Sequence, residues 1–126
     1  MHTEIPIKVN AWVDEGVAAL VSALNEFENV QTLESCEGQD VTPSHVYFLH
    51  REGPQQTFAF LRGLAELLSP RLHSCCDYKL RLEWMPGAEQ PLAEIVTRQE
   101  YVGTLANALT EIAANGYHTT QFDDGR

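Results

Sequence analysis

Val30-Gln31-Thr32-Leu33-Glu34-Ser35-Cys36-Glu37-Gly38, residues 30–38, is the stretch on which the fold turns. A helical pattern runs into it and a glycine-bearing loop leaves it. Upstream, Val17, Leu20, Val21, Leu24 and Phe27 recur at helical spacing. Asp14 is a good N-cap for that helix, with Glu15 in the favourable first turn. Asn29 ends it, so Val30 to Cys36 reads as a strand. Glu37-Gly38-Gln39-Asp40-Val41-Thr42-Pro43 is loop by composition. Ser44 to Arg51 is the next strand, and its run Val46-Tyr47-Phe48-Leu49 predicts burial on both faces. The short link makes these two strands a hairpin.

Before the first helix, Ile5, Ile7 and Val9 alternate with Lys8 and Asn10, the pattern of a half-buried strand. Pro6 lacks an N–H and marks that strand as an edge or a strand start. After the hairpin, Gly53-Pro54 opens a second helix with the stripe Phe58, Leu61, Leu64, Ala65 and Leu68. Ser69-Pro70 is expected to stop it. Asp77 to Trp84 alternates strictly, with Tyr78, Leu80, Leu82 and Trp84 on one face. Pro86-Gly87 is a turn, and Leu92 to Val96 returns as a further strand. Thr97-Arg98-Gln99-Glu100 matches a capping box for a third helix, which buries Val102, Leu105, Leu109 and Ile112 and ends at Asn115-Gly116. The order β-α-β-β-α-β-β-α predicts an α+β domain over residues 1–117, with a polar tail over 118–126. Its first six elements match a ferredoxin-like core. The whole gives a five-stranded, mainly antiparallel sheet covered on one face by three helices.

The chain carries 18 acidic residues against 8 basic ones, a net charge of −10. Nucleic-acid binding relies on Lys and Arg neutralising phosphates, so nucleic acid is disfavoured as a partner. The three cysteines are odd in number, and Cys75 and Cys76 are adjacent, which is not a disulfide framework. They read as thiols in a reducing cytoplasm. The start, Met1-His2-Thr3-Glu4-Ile5-Pro6, has no basic region followed by an apolar run, and no run approaches the ~20 apolar residues a membrane helix needs. A cytoplasmic location without a membrane is therefore expected.

Two places offer chemistry. Lys8, Lys79, Arg81 and Arg98 sit in or beside strands, on the side expected to face away from the helices. Such a face suits a small anionic ligand. Glu4, Glu34, Glu83 and Glu94 lie among them, however, as candidate cross-strand partners. The same open face could instead pair two copies, making a homodimer. The second place is Ser35-Cys36-Glu37-Gly38. A thiol at a strand end could be an exposed nucleophile with His45 or His50 as its base. Its neighbours Glu34 and Glu37 oppose thiolate formation, which favours a small buried residue ending a strand. The ligand-type residues Cys36, His45, His50, Cys75, Cys76 and Asp77 fall in no metal-binding spacing, so no metal is assigned. Trp12 and Trp84 read as core or sheet-edge aromatics.

The run Val17 to Gly38, with Thr32 and Ser35-Cys36-Glu37-Gly38 at its end, resembles uncharacterised small bacterial proteins that carry a T-x-x-S-C-x-G strand end before a Val-Tyr-Phe strand. It is similar, more distantly, to one segment of the Tyw3 wybutosine-synthesis methyltransferase family, in which a like helix leads to a Ser-Ser-Cys-Ser-Gly-Arg motif. Ser35, Cys36 and Gly38 match that motif, while Glu37 stands at the serine that follows its cysteine and Gln39 at its arginine. The resemblance implies S-adenosylmethionine binding and a tRNA-modifying relative. The residues themselves imply a non-catalytic binding or assembly domain using the open face or the 35–40 loop.

Overall fold

The computed structural model describes residues 4–6, 12–38, 42–72 and 77–115. Lys8, Cys75, Cys76 and the tail from 118 onward lie outside them. The described elements are strands β1 (Glu4–Pro6) and β2 (Trp12–Asp14), helix α1 (Ala18–Leu24), strands β3 (Val30–Cys36) and β4 (Ser44–His50), helix α2 (Pro54–Leu72), strands β5 (Tyr78–Glu83) and β6 (Leu92–Thr97), and helix α3 (Val102–Ala114). Short 3₁₀ turns, Glu15–Val17 and Gln99–Tyr101, lead into α1 and α3.

The fold is mixed α+β, with three helices and a four-stranded antiparallel sheet in the order β3-β4-β6-β5. Of the expected strand over residues 5–11, only 5 and 6 are among the described residues, and they do not join this sheet. β1 pairs instead with β2 as a separate hairpin, Ile5 opposite Val13. The sheet consequently lacks the ferredoxin-like order. Two hairpins, β3-β4 and β5-β6, are joined through antiparallel β4 and β6, with Val46 opposite Ile95 and Phe48 opposite Ala93.

Periodicity sets the faces. Along β4, Ser44, Val46, Phe48 and His50 are buried toward the helices, while His45, Tyr47 and Leu49 are only half-buried. The expected burial on both faces is thus complete on one. Leu20, Leu24, Phe48, Phe60, Leu64, Leu68, Ile95, Leu105, Leu109 and Ile112 form the core between sheet and helices. Phe60 anchors it, its ring edge-on to Phe27 at 5.0 Å and to Phe48 at 5.9 Å, a favourable geometry for aromatic pairs.

Three local expectations are corrected. No side chain caps the start of α1, which follows the turn at Glu15–Val17 rather than Asp14 directly. Pro70 does not stop α2, which continues to the buried Leu72. Glu66 and Pro70 are both on the exposed side of the helix, and burial of Leu68 and Leu72 outweighs the lost hydrogen bond. The capping box is not formed either. Thr97 is buried in β6, and its hydroxyl donates to the Asp77 carbonyl at 2.6 Å. That side chain ties the two strands of a hairpin together and does not cap α3.

Candidate functional site

The sequence placed its first candidate at residues 35–38, and a β-bulge decides what that loop does. Thr32 lies opposite Phe48, yet Ser35 lies opposite Val46. Three steps along β3 match two along β4, so one extra residue sits at Leu33-Glu34 and the alternation reverses there. Without the bulge, Glu34 and Cys36 would point inward with Val30 and Thr32. With it, Glu34 reaches solvent, Ser35 turns toward the helix side and Cys36 turns to the open face, directly opposite His45. Cys36 is a free, half-buried thiol, not a buried strand-end residue. His45 packs against Tyr47 with ring centroids 5.5 Å apart. Cys36 and His45 are therefore neighbours, joined by no hydrogen bond.

His50 does not join them. It is buried at the other end of β4 on the helix face. Its backbone N–H donates to Thr57 Oγ1 at 2.8 Å, and its Nδ1 accepts from the Glu52 N–H at 3.2 Å. Burial pushes its pKa below the ordinary 6.5, against the opposing carboxylates of Glu52 and Glu28. A histidine with a lowered folded-state pKa binds fewer protons folded than unfolded. Its contribution to stability is present in full above pH 6.5 and declines as the pH falls from there through the folded-state value. Chemical denaturation between about pH 7.5 and 5.5 should show this decline, and His50→Gln should flatten it.

Glu37 and Gly38 hold the chain together. The Glu37 carboxylate accepts the Gly16 N–H at 2.8 Å at the entry to α1, and its carbonyl accepts the Ser44 hydroxyl at 2.5 Å. Gly38 is buried with φ +80°, and a Cβ there would lie 2.2 Å from the Thr42 carbonyl oxygen. Glu37 and Gly38 are thus occupied in tying the end of β3 to the start of α1 and to Thr42, Pro43 and Ser44.

The second candidate, the face without helices, carries the polar groups. In β5, Lys79 lies opposite Val96, Arg81 opposite Glu94 and Glu83 opposite Leu92, all turned away from the helices. Arg81 is engaged. Its Nε and Nη2 both donate to Glu94 Oε1, at 3.0 and 2.6 Å. The Glu94 side chain is only 4% exposed against 55% for Arg81. These hydrogen bonds keep the guanidinium more firmly protonated than usual. The Tyr47 hydroxyl donates to Glu83 at 3.2 Å, and burial, with the Glu94 and Glu83 carboxylates, raises its pKa. Arg81, Glu94, Tyr47 and Glu83 form one connected network, so the anticipated cross-strand partnering holds for Arg81. It does not hold for Lys79, which is exposed and has no ion pair among the described residues.

Lys79 borders a concavity of about 610 Å³ at the end of the sheet. Leu72, Tyr78, Val96 and Pro43 supply its apolar walls, and Lys79 and Arg98 its cations. Arg98 and Asp77 stand 4.0 Å apart, both largely exposed, and such surface pairs hold their partners weakly.

No family model, curated protein or solved structure matches this chain. The likeness of Ser35-Cys36-Glu37-Gly38 to the Tyw3 motif therefore rests on those residues alone. Among the described residues no three His, Cys, Asp or Glu side chains gather as a metal centre requires, and no helix is long and apolar enough to cross a membrane. The sequence named Lys79 and Arg81, but the cavity's walls were hidden in it. They come from the end of α2, the starts of β4 and β5 and the end of β6, segments that no spacing rule connects.

Proposed function

We infer that the chain is a non-catalytic binding domain whose working surface is the concavity at the end of the sheet, where Lys79 of the open face meets the end of α2, and that its ligand is a small anion bearing an apolar group. One observation carries this reading: a lysine with no ion pair among the described residues and an arginine weakly held by the single carboxylate of Asp77 flank an apolar concavity. Concave sites with a few converging polar groups over apolar walls are where small ligands are held. The charge fixes the ligand's sign and the walls favour an alkyl or aryl part. Hexanoate is a suitable probe, with inorganic phosphate testing charge alone and hexanol testing the apolar part alone. Ligand bound only to the folded state stabilises it by about 2.7 kcal/mol at roughly a hundredfold excess over Kd. Hexanoate should raise Tm more than either control, and the double substitution Lys79→Ala/Arg98→Ala should abolish the rise. An equal response to all three compounds, or an undiminished rise in the variant, refutes the assignment.

A second reading follows from the juxtaposition of Cys36 and His45. A thiol beside an imidazole is the pairing a nucleophilic site needs, and the Tyw3-like motif suggests a small S-adenosylmethionine-binding enzyme. On this reading S-adenosylmethionine raises Tm and Cys36→Ser weakens the effect. A Tm unmoved by saturating S-adenosylmethionine removes it.

A further inference from the structure

β5 is an edge strand, and among the described residues its outer side pairs with no other strand. Backbone N–H and C=O groups along such an edge are a template for further pairing. Charged side chains usually block that pairing because like charges meet across the seam. β5 and the next residue read Tyr78-Lys79-Leu80-Arg81-Leu82-Glu83-Trp84, a pattern that is complementary to itself.

We propose that two copies of this chain join through β5, antiparallel, about a two-fold axis at Arg81, so that their sheets become continuous. Residues directly opposite in an antiparallel pair share a face. On the open face Lys79 of each copy then meets Glu83 of the other. Arg81 meets Arg81, but each is already neutralised by its own Glu94 at 2.6 Å. On the helix face Leu80 meets Leu82 and Tyr78 meets Trp84. Within one copy Tyr78 and Leu80 pack partly against the core, whereas Leu82 is 41% and Trp84 63% exposed. The uncovered half of each strand meets the covered half of the other, and Met85, 37% exposed, flanks the seam.

Neighbouring registers are poorer. An axis at Leu80 sets Lys79 against Arg81, like charges. An axis at Leu82 sets Arg81, already held by Glu94, against Glu83, but it sets Lys79 against Met85 and Tyr78 against Pro86, which has no N–H for the ladder. Pairing along Tyr78 to Trp84, β5 and the next residue, makes a small interface, below the ~1,200 Å² of stable complexes, so association depends on concentration. Lys79 and Tyr78 serve both the seam and the cavity, but neither Leu82 nor Trp84 lines the cavity, so substitution of those two separates dimerisation from ligand binding.

Sedimentation of the full chain over a concentration series up to the sub-millimolar range tests it. The wild type should pass from monomer to dimer. Lys79→Glu should raise the dimer Kd about tenfold, since two attractive cross-strand pairs become repulsive. Glu83→Lys should do the same, and the combined Lys79→Glu/Glu83→Lys exchange should restore association. Leu82→Ser/Trp84→Ser should leave a monomer whose melting matches the wild-type monomer, because both side chains are exposed. A wild type that stays monomeric throughout, a charge exchange that fails to restore association, or a dimer indifferent to the Leu82 and Trp84 substitutions overturns the proposal.

Discussion

Gly38→Ala is expected to remove about 3 kcal/mol of stability, from two sources of similar size. A left-handed conformation costs an L side chain about 1–2 kcal/mol, and Gly38 has φ +80°. The new Cβ would also lie 2.2 Å from the Thr42 carbonyl oxygen and 2.7 and 2.8 Å from the Pro43 carbonyl. These are backbone atoms, so the loop must shift, at the further 1–3 kcal/mol typical of overpacking. Such a shift loosens both bonds of the adjacent Glu37, to Gly16 and to Ser44. Against the ~5–15 kcal/mol that holds most domains together, this is a large fraction, about 10 °C in Tm for a chain of this size. Gly87 is the control: its φ is +81°, but nothing lies within 4 Å of a Cβ there. Gly87→Ala should cost only the conformational part, about 1–2 kcal/mol. Urea denaturation of the two variants separates strain from clash. Equal losses would show that the Glu37–Pro43 loop does not close around Gly38.

Arg81→Ala is expected to cost about 2–3 kcal/mol, because it strands a carboxylate that is 4% exposed. Arg81 itself is half in water, which places the loss at the low end for a broken buried pair. The reverse deletion, Glu94→Leu, leaves a guanidinium that solvent can reach, so its cost should be smaller. The pair therefore predicts an asymmetric, non-additive cycle. Arg81→Ala/Glu94→Leu should be more stable than Arg81→Ala alone, since the double variant leaves no charge buried. Strict additivity would mean that the two side chains do not depend on each other.

Side-chain periodicity made the elements legible. The stripes Leu20-Val21-Leu24 and Val102-Leu105-Leu109-Ile112 are buried as their spacing requires, whereas α1 ends at Leu24 rather than Asn29, and Val17 and Phe27 are buried from the turns that flank it; the alternation of Tyr78 to Glu83 assigns Lys79 and Arg81 to the open face. Periodicity says which face a residue takes, not which strand lies beside it. Nothing in Leu92 to Thr97 announced that this strand sits next to Ser44–His50, or that residues 4–6 pair outside the sheet. The bulge at Leu33-Glu34 was hidden for a related reason. Its one trace is Glu34 at a position that strict alternation would bury, and the bulge relieves that conflict by moving Cys36 to the other face. Thr97 and Pro70 obeyed tertiary demands over local ones. A hydroxyl that bonds across a hairpin cannot cap a helix, and a proline on the exposed side of a helix need not end one when the residues around it are buried.

The central claim is that the working site lies where β5 begins and β6 ends, and that residues 35–38 are structural. Amide chemical-shift mapping of the isotope-labelled chain during titration with hexanoate addresses it most directly. Shifts concentrated at Tyr78, Lys79, Val96, Thr97 and Arg98, with Cys36, Glu37 and Gly38 unmoved, are the predicted result. Shifts centred on Cys36 to Gly38, or none at the cavity at saturating hexanoate, would contradict it.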